Sequence, residues 1–311
     1  MAGGPAASIV VAISIPPLYW AGRRAPSSVA HVRMSGEERR FSTNSKLRMM
    51  SNSYWTQASD AERYARSRPS FHALVIERIK AFLEFPEPIR WALDIGCGTG
   101  QSATTLRAIA TDVVGLDISP AMLDYAQDPS VQFLQAAGES LPFADHRFDL
   151  ATAALSLHWL DRDRFLAEAR RVLRPSGWLV IYDNFFLGRM RENSDFERWT
   201  KEEYLTRYPV PPRDNRPLTP EVAGRHGFLC VEEETYTNDV TFSFDELSSY
   251  LMTQTNVLAA IQVGTERREE VCGWLANSVK PLFPRQQCSF CFGGYIRYLR
   301  CLSDTKESQG R

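Results

Sequence analysis

The chain carries almost no net charge: 36 lysines and arginines stand against 37 aspartates and glutamates over 311 residues. That balance removes the simplest electrostatic reason to expect a nucleic-acid partner. No apolar run reaches the length of a bilayer span, so no membrane partner is expected. Cysteine is scarce, with six scattered residues. So few in so long a chain exclude a disulfide scaffold and fit a reducing, cytoplasmic compartment. Cys288 and Cys291 form a lone C-x-x-C with no second pair, inside the β-rich QCSFCFGGYIRYLRC. Packing is its expected use, and no metal site is expected.

Acidic residues are absent before Glu37. The apolar piece ASIVVAISIPPLYW is broken by Pro16 and Pro17, and no positive charge precedes it, which argues against a signal peptide. Residues 1–50 read as a disordered extension or as an organellar transit segment. Met34, Met49 and Met50 are alternative starts.

From about residue 51 the pattern becomes globular. Apolar residues recur at helical spacing after Pro69. WALDI reads as a buried strand, Gln101–Ala110 as a helix, and TDVVGLDI as a second strand. A short helix starts at Pro120. VQFLQAA and FDLATAAL are the third and fourth strands. RDRFLAEARRVLR is an amphipathic helix closed by PSG, and WLVIYD is the fifth strand. Strands alternating with helices of this length predict an α/β fold with a doubly wound, mostly parallel sheet. After Asp183 the rhythm changes. Charged helix-like SDFERWTKEEYLTRY, strand GFLCVEEETY, helical FDELSSYLMTQTNVLAAI and ERREEVCGWLANSV, and a last strand near Cys288–Leu299 follow.

The chemistry concentrates in ALDIGCGTGQ, residues 92–101. In an open parallel sheet, ligands sit beyond the carboxyl ends of the strands. Gly96, Gly98 and Gly100 leave the backbone bare there and permit positive φ. The helix that follows directs free N–H groups toward an anionic group. Asp117 ends the second strand, where a carboxylate can accept both hydroxyls of a ribose. Loop and acid together point to a ligand carrying a nucleoside. The glycines run G-x-G-x-G and not G-x-G-x-x-G, which argues against a nicotinamide-dependent oxidoreductase. The G-K-[ST] of a P-loop is missing, which argues against a triphosphate.

LDIGCGTG, VVGLDISPAML, ESLPFADHRFDLATAALSLHWL and RVLRPSGWLVIYD together resemble class I methyltransferases that use S-adenosylmethionine. The His-Trp pair after the fourth strand is similar to the small-molecule subgroup related to trans-aconitate methyltransferase, as is the upstream YARSRP. The resemblance is strong over about residues 55–185. It implies a seven-stranded Rossmann-like sheet with a helical cap. It divides the chain into an extension at 1–50, a cofactor-binding core at 51–184, a substrate cap with the last strands at 185–301, and a tail at 302–311. Asp94 and the Gly96–Gly98–Gly100 loop would hold the methionine end of S-adenosyl-L-methionine. Asp117 would bind the ribose. Ile118 and Met122 would flank the adenine, and Gly138 and Glu139 would lie at its edge. Ala137 stands where many relatives carry an aspartate for the adenine amino group.

Methyl transfer needs a base only when the acceptor must first lose a proton. His158, after the fourth strand, is the candidate base; a structural or orienting role is the other reading. Trp159 beside it reads as core packing or as a cation–π neighbour of a sulfonium. Tyr64, Arg66 and Arg68 are candidates to close over the cofactor or hold an acidic substrate; a solvated helix face is the other reading of the arginines. Asp183 and Asn184, taken as the end of the fifth strand, are candidates to face the acceptor or form a turn. Thr253, Gln254, Thr255 and Asn256 form a polar cluster in an apolar run, either reading an acceptor or marking a solvated turn. The expected function is methylation of a small-molecule acceptor, a carboxylate or a hydroxyl. The rivals are a nucleic-acid methyltransferase, disfavoured by ALSLHWLD in place of an N-P-P-[FY] tetrad, and a cofactor-binding protein without catalysis.

Overall fold

A computed structural model describes Trp55 and residues 57–303. The expected extension at 1–50 and most of the expected tail at 302–311 lie outside the described residues. Seven strands form one sheet: β1 (Ile89–Ile95), β2 (Ala110–Asp117), β3 (Val131–Gln135), β4 (Phe148–Ala154), β5 (Leu173–Met190), β6 (Phe228–Ser243) and β7 (Gln287–Cys301). Their order is β3-β2-β1-β4-β5-β7-β6. The fold is α/β, as expected.

The described residues divide into two compact units. The first holds the chain through Tyr182, then Pro212–Glu234 and the residues from Ile296 onward. The second holds Asp183–Pro211 and Thr235–Tyr295. Pro212–Glu234 thus groups with the first unit, although it follows the expected core boundary at 184.

In the first unit β1 pairs in parallel with β2 on one side and with β4 on the other. Parallel pairs β2–β3 and β4–β5 continue outward. The strand order therefore reverses at β1, and the crevice beyond the carboxyl ends of β1 and β4 is the natural ligand site of such a sheet. Burial explains the strands. Ala92, Leu93 and Ile95 of β1, and Leu150, Ala151, Ala153 and Ala154 of β4, are all buried, as strands covered on both faces require. The helix expected over Gln101–Ala110 stops at Leu106, because β2 already begins at Ala110. The helix Arg162–Val172 runs directly into β5 at Leu173, before the expected PSG stop.

In the second unit β5 continues to Met190, so Asp183 and Asn184 stand inside a strand and not at its end. The single helix expected over residues 244–261 is two, Phe244–Leu251 and Thr255–Gln262. The first opens with a capping box, Ser243 and Glu246 bonding each other's backbone N–H. Rings hold this unit together. Phe186 meets Phe292 at 5.3 Å, Phe242 stacks on Tyr250 at 5.5 Å, and Trp199 stacks on Trp274 at 5.6 Å. Each buried ring contributes about 1.5–3 kcal/mol of transfer free energy. No described helix is long and apolar enough to cross a membrane.

One glycine marks the closest approach in the second unit. A side chain on Gly294 of β7 would collide with the carbonyl oxygen of Asp183, whereas one on Gly273 of the helix Arg268–Ser278 would meet nothing. Gly294→Ala is expected to cost about 3 kcal/mol, since backbone must move to admit it. Gly273→Ala is expected to gain about 0.5–1 kcal/mol, as alanine is the better helix former. Urea midpoints of the two variants check both signs.

Candidate active site

β1 delivers the chain into Gly96–Gly100 at the switch point of the sheet. The amides of Gly96 and Cys97 bond the carbonyl of Leu116 at 2.8 and 2.9 Å, which pins the start of the loop to β2. The three glycines adopt φ of 77°, 54° and 83°, a region that other residues rarely enter. Their bareness also answers to protein. A Cβ on Gly96 would lie 2.9 Å from Ser156, on Gly98 3.1 Å from Met122, and on Gly100 2.8 Å from the Phe133 ring.

Asp117 closes the loop from the other side. Its carboxylate is almost wholly buried and accepts the Gly98 amide and the Ser119 amide, each at 2.8 Å. Desolvation, only partly offset by these bonds, pushes its pKa up to about 7. The Ile118 backbone adds a third, weaker contribution of the same kind as these bonds. Asp94 lies one strand over, fully buried, with Oδ1 accepting from Thr152 at 2.7 Å and Oδ2 accepting from Ser102. The register places Thr152 of β4 directly opposite it. Burial raises Asp94 to about 6, against the pull of those two hydroxyls. Here Asp94 braces β4 and the first turn of the helix Gln101–Leu106.

Tyr64 gathers at the same end. Burial raises its pKa first, Arg68 lowers it, and the charge of Asp117 raises it again. The Arg68 guanidinium lies 4.6 Å from the centre of the Tyr64 ring, and Trp55 meets that ring edge-on at 4.8 Å. Ser119 donates to the Trp55 carbonyl at 2.8 Å and caps the short helix Pro120–Leu123. Tyr64, Arg68, Asp117 and Met122 are thus brought together. Ile118 is half-buried, and its carbonyl accepts from Gln135. Gly138 and Glu139 serve packing and capping. A Cβ on Gly138 would strike Leu160 and Ile95, and Glu139 accepts the Asp161 amide at 2.8 Å.

His158 sits in a 3₁₀ turn, Leu157–Trp159, two residues after the Ser156 that packs on Gly96. Its Nε2 is buried and meets no hydrogen-bond partner among the described residues. Burial first, then the charges of Arg213 and Arg162, hold its pKa well below the ordinary imidazole value. It is therefore uncharged at neutral pH. Trp159 is buried with its ring 5.4 Å from that of His158. The Arg162 guanidinium is nearly buried and stands 3.6 Å from Asp214, which brings segment 213–214 to this corner.

In the second unit Asp183 accepts the Tyr295 hydroxyl on its carboxylate at 2.8 Å and the Tyr236 hydroxyl on its carbonyl at 2.9 Å. Asn184 is buried with its Oδ1 unmatched among the described residues. Thr253, Gln254, Thr255 and Asn256 are all buried, so this cluster is no solvated turn.

Ser102, Thr152, Ser119, Arg162 and Arg213 complete the site and escaped the sequence reading. Thr152, one hydroxyl inside the apolar FDLATAAL, was the available signal. No group of three or more metal-ligating side chains occurs among the described residues.

Asp117 keeps its proton in the folded chain at pH values where the unfolded chain has lost it. Its contribution to stability therefore falls as pH rises from about 4 to about 7, by about 1.4 kcal/mol per pH unit. His72, held near 3 by burial, runs the opposite way, as does His158. The clean measurement is therefore a difference. The stability of Asp117→Asn relative to the ligand-free parent should rise between pH 4.5 and 7.5 and level off above. A difference that stays flat with pH would remove the raised carboxyl.

Residues 93–181 match the methyltransferase domain family. The uncharacterized methyltransferase Rv3342 of Mycobacterium tuberculosis is 37% identical over 123 residues, 39% of this chain and 49% of that one. The malonyl-[acyl-carrier protein] O-methyltransferase of Dechloromonas aromatica is 40% identical over 93 residues, 29% of this chain and 34% of that one. The chain thus spans about half the length, or less, of these curated relatives. A solved structure from Anaeromyxobacter dehalogenans, proposed to be a type II methyltransferase, superposes with a TM-score of 0.59 at 23% identity. It covers 76% of this chain and 98% of that one, a likeness of fold. Residues 93–181, with the glycine loop at the switch point and Asp117 beside it, are thus a methyltransferase domain by family match.

Proposed function

We propose that the protein transfers the methyl group of S-adenosyl-L-methionine to a small-molecule acceptor, and that the acceptor presents a carboxylate. The residues present fit the cofactor. Asp117, a buried carboxylate at the end of β2 held by the Gly98 and Ser119 amides, suits a pair of ribose hydroxyls. The start of the helix Gln101–Leu106 and the backbone of the glycine loop take the methionine end, with Asp94 bracing them from behind. Met122 and Ile118 offer apolar contact to the adenine, near Gly138 and Glu139. Tyr64 and Arg68 cover the Asp117 end.

The cofactor supplies a methyl group on a positively charged sulfur, so the leaving group is already activated. The chain's part is to align the acceptor oxygen with that carbon and to exclude water. One observation carries the acceptor class: His158 is buried with its Nε2 unmatched among the described residues, and burial, then the charges of Arg213 and Arg162, lower its pKa and weaken it as a base. A carboxylate is already a nucleophile and needs no base. Arg162 and Arg213 favour its charge, and the His158 ring can donate one hydrogen bond to orient it.

Two measurements test this reading. Asp117→Ala should weaken S-adenosylhomocysteine binding about 10- to 100-fold by calorimetry, the loss of one or two charged hydrogen bonds. An unchanged dissociation constant removes Asp117 from the cofactor site. Labelled methyl transfer should then be screened against carboxylic acids, alcohols and amines side by side. Carboxylate methylation yields an ester whose label mild alkali releases as methanol. With that acceptor, His158→Gln should keep turnover within about tenfold. A fall of about 100-fold or more, or an alkali-stable product, would instead mark His158 as the base for a hydroxyl acceptor.

A further inference from the structure

The second unit carries a buried amide that the protein itself leaves unanswered. Gln254 stands at the break between the helices Phe244–Leu251 and Thr255–Gln262, and its side chain is completely buried. Neither its Nε2 nor its Oε1 meets a hydrogen-bond partner among the described residues. Its backbone is fully used: the amide donates to Leu251 at 3.0 Å and the carbonyl accepts from Leu258 at 2.9 Å. Its neighbours are also answered. Thr253 donates its hydroxyl to the Tyr250 carbonyl at 2.6 Å. Asn256 accepts from the Tyr204 hydroxyl at 3.3 Å and donates to the Tyr208 carbonyl at 2.9 Å.

A structural role for the Gln254 side chain is hard to find. It precedes a helix but makes no capping bond. A buried amide without partners costs free energy, and a methionine of similar size would fill the same space without that cost. A bound ligand with matching groups offsets that cost.

We infer that the side-chain amide of Gln254 binds a small polar ligand that presents a hydrogen-bond donor and an acceptor side by side, as a primary carboxamide does. A carboxamide answers both ends at once. An ionised carboxylate would leave Oε1 without a donor, and an ammonium group would leave Nε2 without an acceptor. The nearby polar side chains Thr253 and Asn256 are already bonded to other partners, which leaves the Gln254 amide as the group at this break that a ligand would meet. The assignment goes beyond methyl transfer and does not depend on it.

The test uses the full chain labelled with ¹⁵N. The side-chain NH₂ signals of Gln254 are identified by their loss in Gln254→Met and Gln254→Leu; sequential assignment of the parent gives the same signals without either variant. Propionamide, propionate and propylammonium are titrated separately to millimolar concentration. Propionamide should move the Gln254 signals in a saturable way and the two ions should not. Gln254→Met should raise the ligand-free Tm by about 2–5 °C, because it removes the unmet amide. Gln254 signals unmoved by propionamide overturn the assignment in favour of a buried water. A Gln254→Met variant less stable than the parent overturns it as well, because the amide would then have a structural partner.

Discussion

The site depends on one buried carboxylate. Asp117 ends β2 and takes the amide of Gly98 from the loop after β1 and the amide of Ser119 from the turn before the next helix. Two neighbouring strand ends are thereby tied to one charge-bearing group at the switch point of the sheet. Trp55 and Tyr64 close on the same place through Ser119 and the Arg68–Tyr64 contact. Remove the carboxylate, and the loop loses the Gly98 bond and keeps those of Gly96 and Cys97 to the Leu116 carbonyl.

Burial sets the chemistry of the other ionisable groups in the same way. Asp94 is raised and His158 lowered, both chiefly because water is absent around them. For His158 the charges of Arg213 and Arg162 act in the same direction as burial, and both weaken it as a base, which is what the carboxylate acceptor proposed above requires. The glycine loop follows a parallel logic. Its three positive φ values and its contacts with Ser156, Met122 and Phe133 make it a packed element, and the amides of Gly96, Cys97, Gly98 and Gly100 are all bonded within the chain.

The glycine loop and Asp117 are legible because they are local: strand, G-x-G-x-G, helix, strand and terminal acid occur within one short stretch. His158 and Trp159 are named from the same kind of local pattern, and their roles remain a proposal. Asp94 was recognised, but its partners were not, since Thr152 is 58 residues away and reaches it only through strand register. The polar cluster Thr253–Asn256 is legible as polar inside a helical run, but neither the break between its two helices nor its burial is, because burial of a polar run depends on what packs over it. Asp183 was taken for a strand end because the apolar run stops there, whereas β5 continues through Asn184 to Met190. Gly294 lets β7 approach that stretch of backbone closely, a fact of pairing that no local pattern records.

By itself, the sequence determined the α/β class, the parallel order of the first strands, the glycine loop and the acid that faces it. Those features follow from hydrophobic period and backbone conformation, which act over a few residues. Only the tertiary structure decided the protonation of Asp94, Asp117 and His158, the company of Arg162 and Arg213, and the burial of Gln254. Each of these depends on how much water is excluded and which distant charges arrive, and desolvation is a property of the assembled fold.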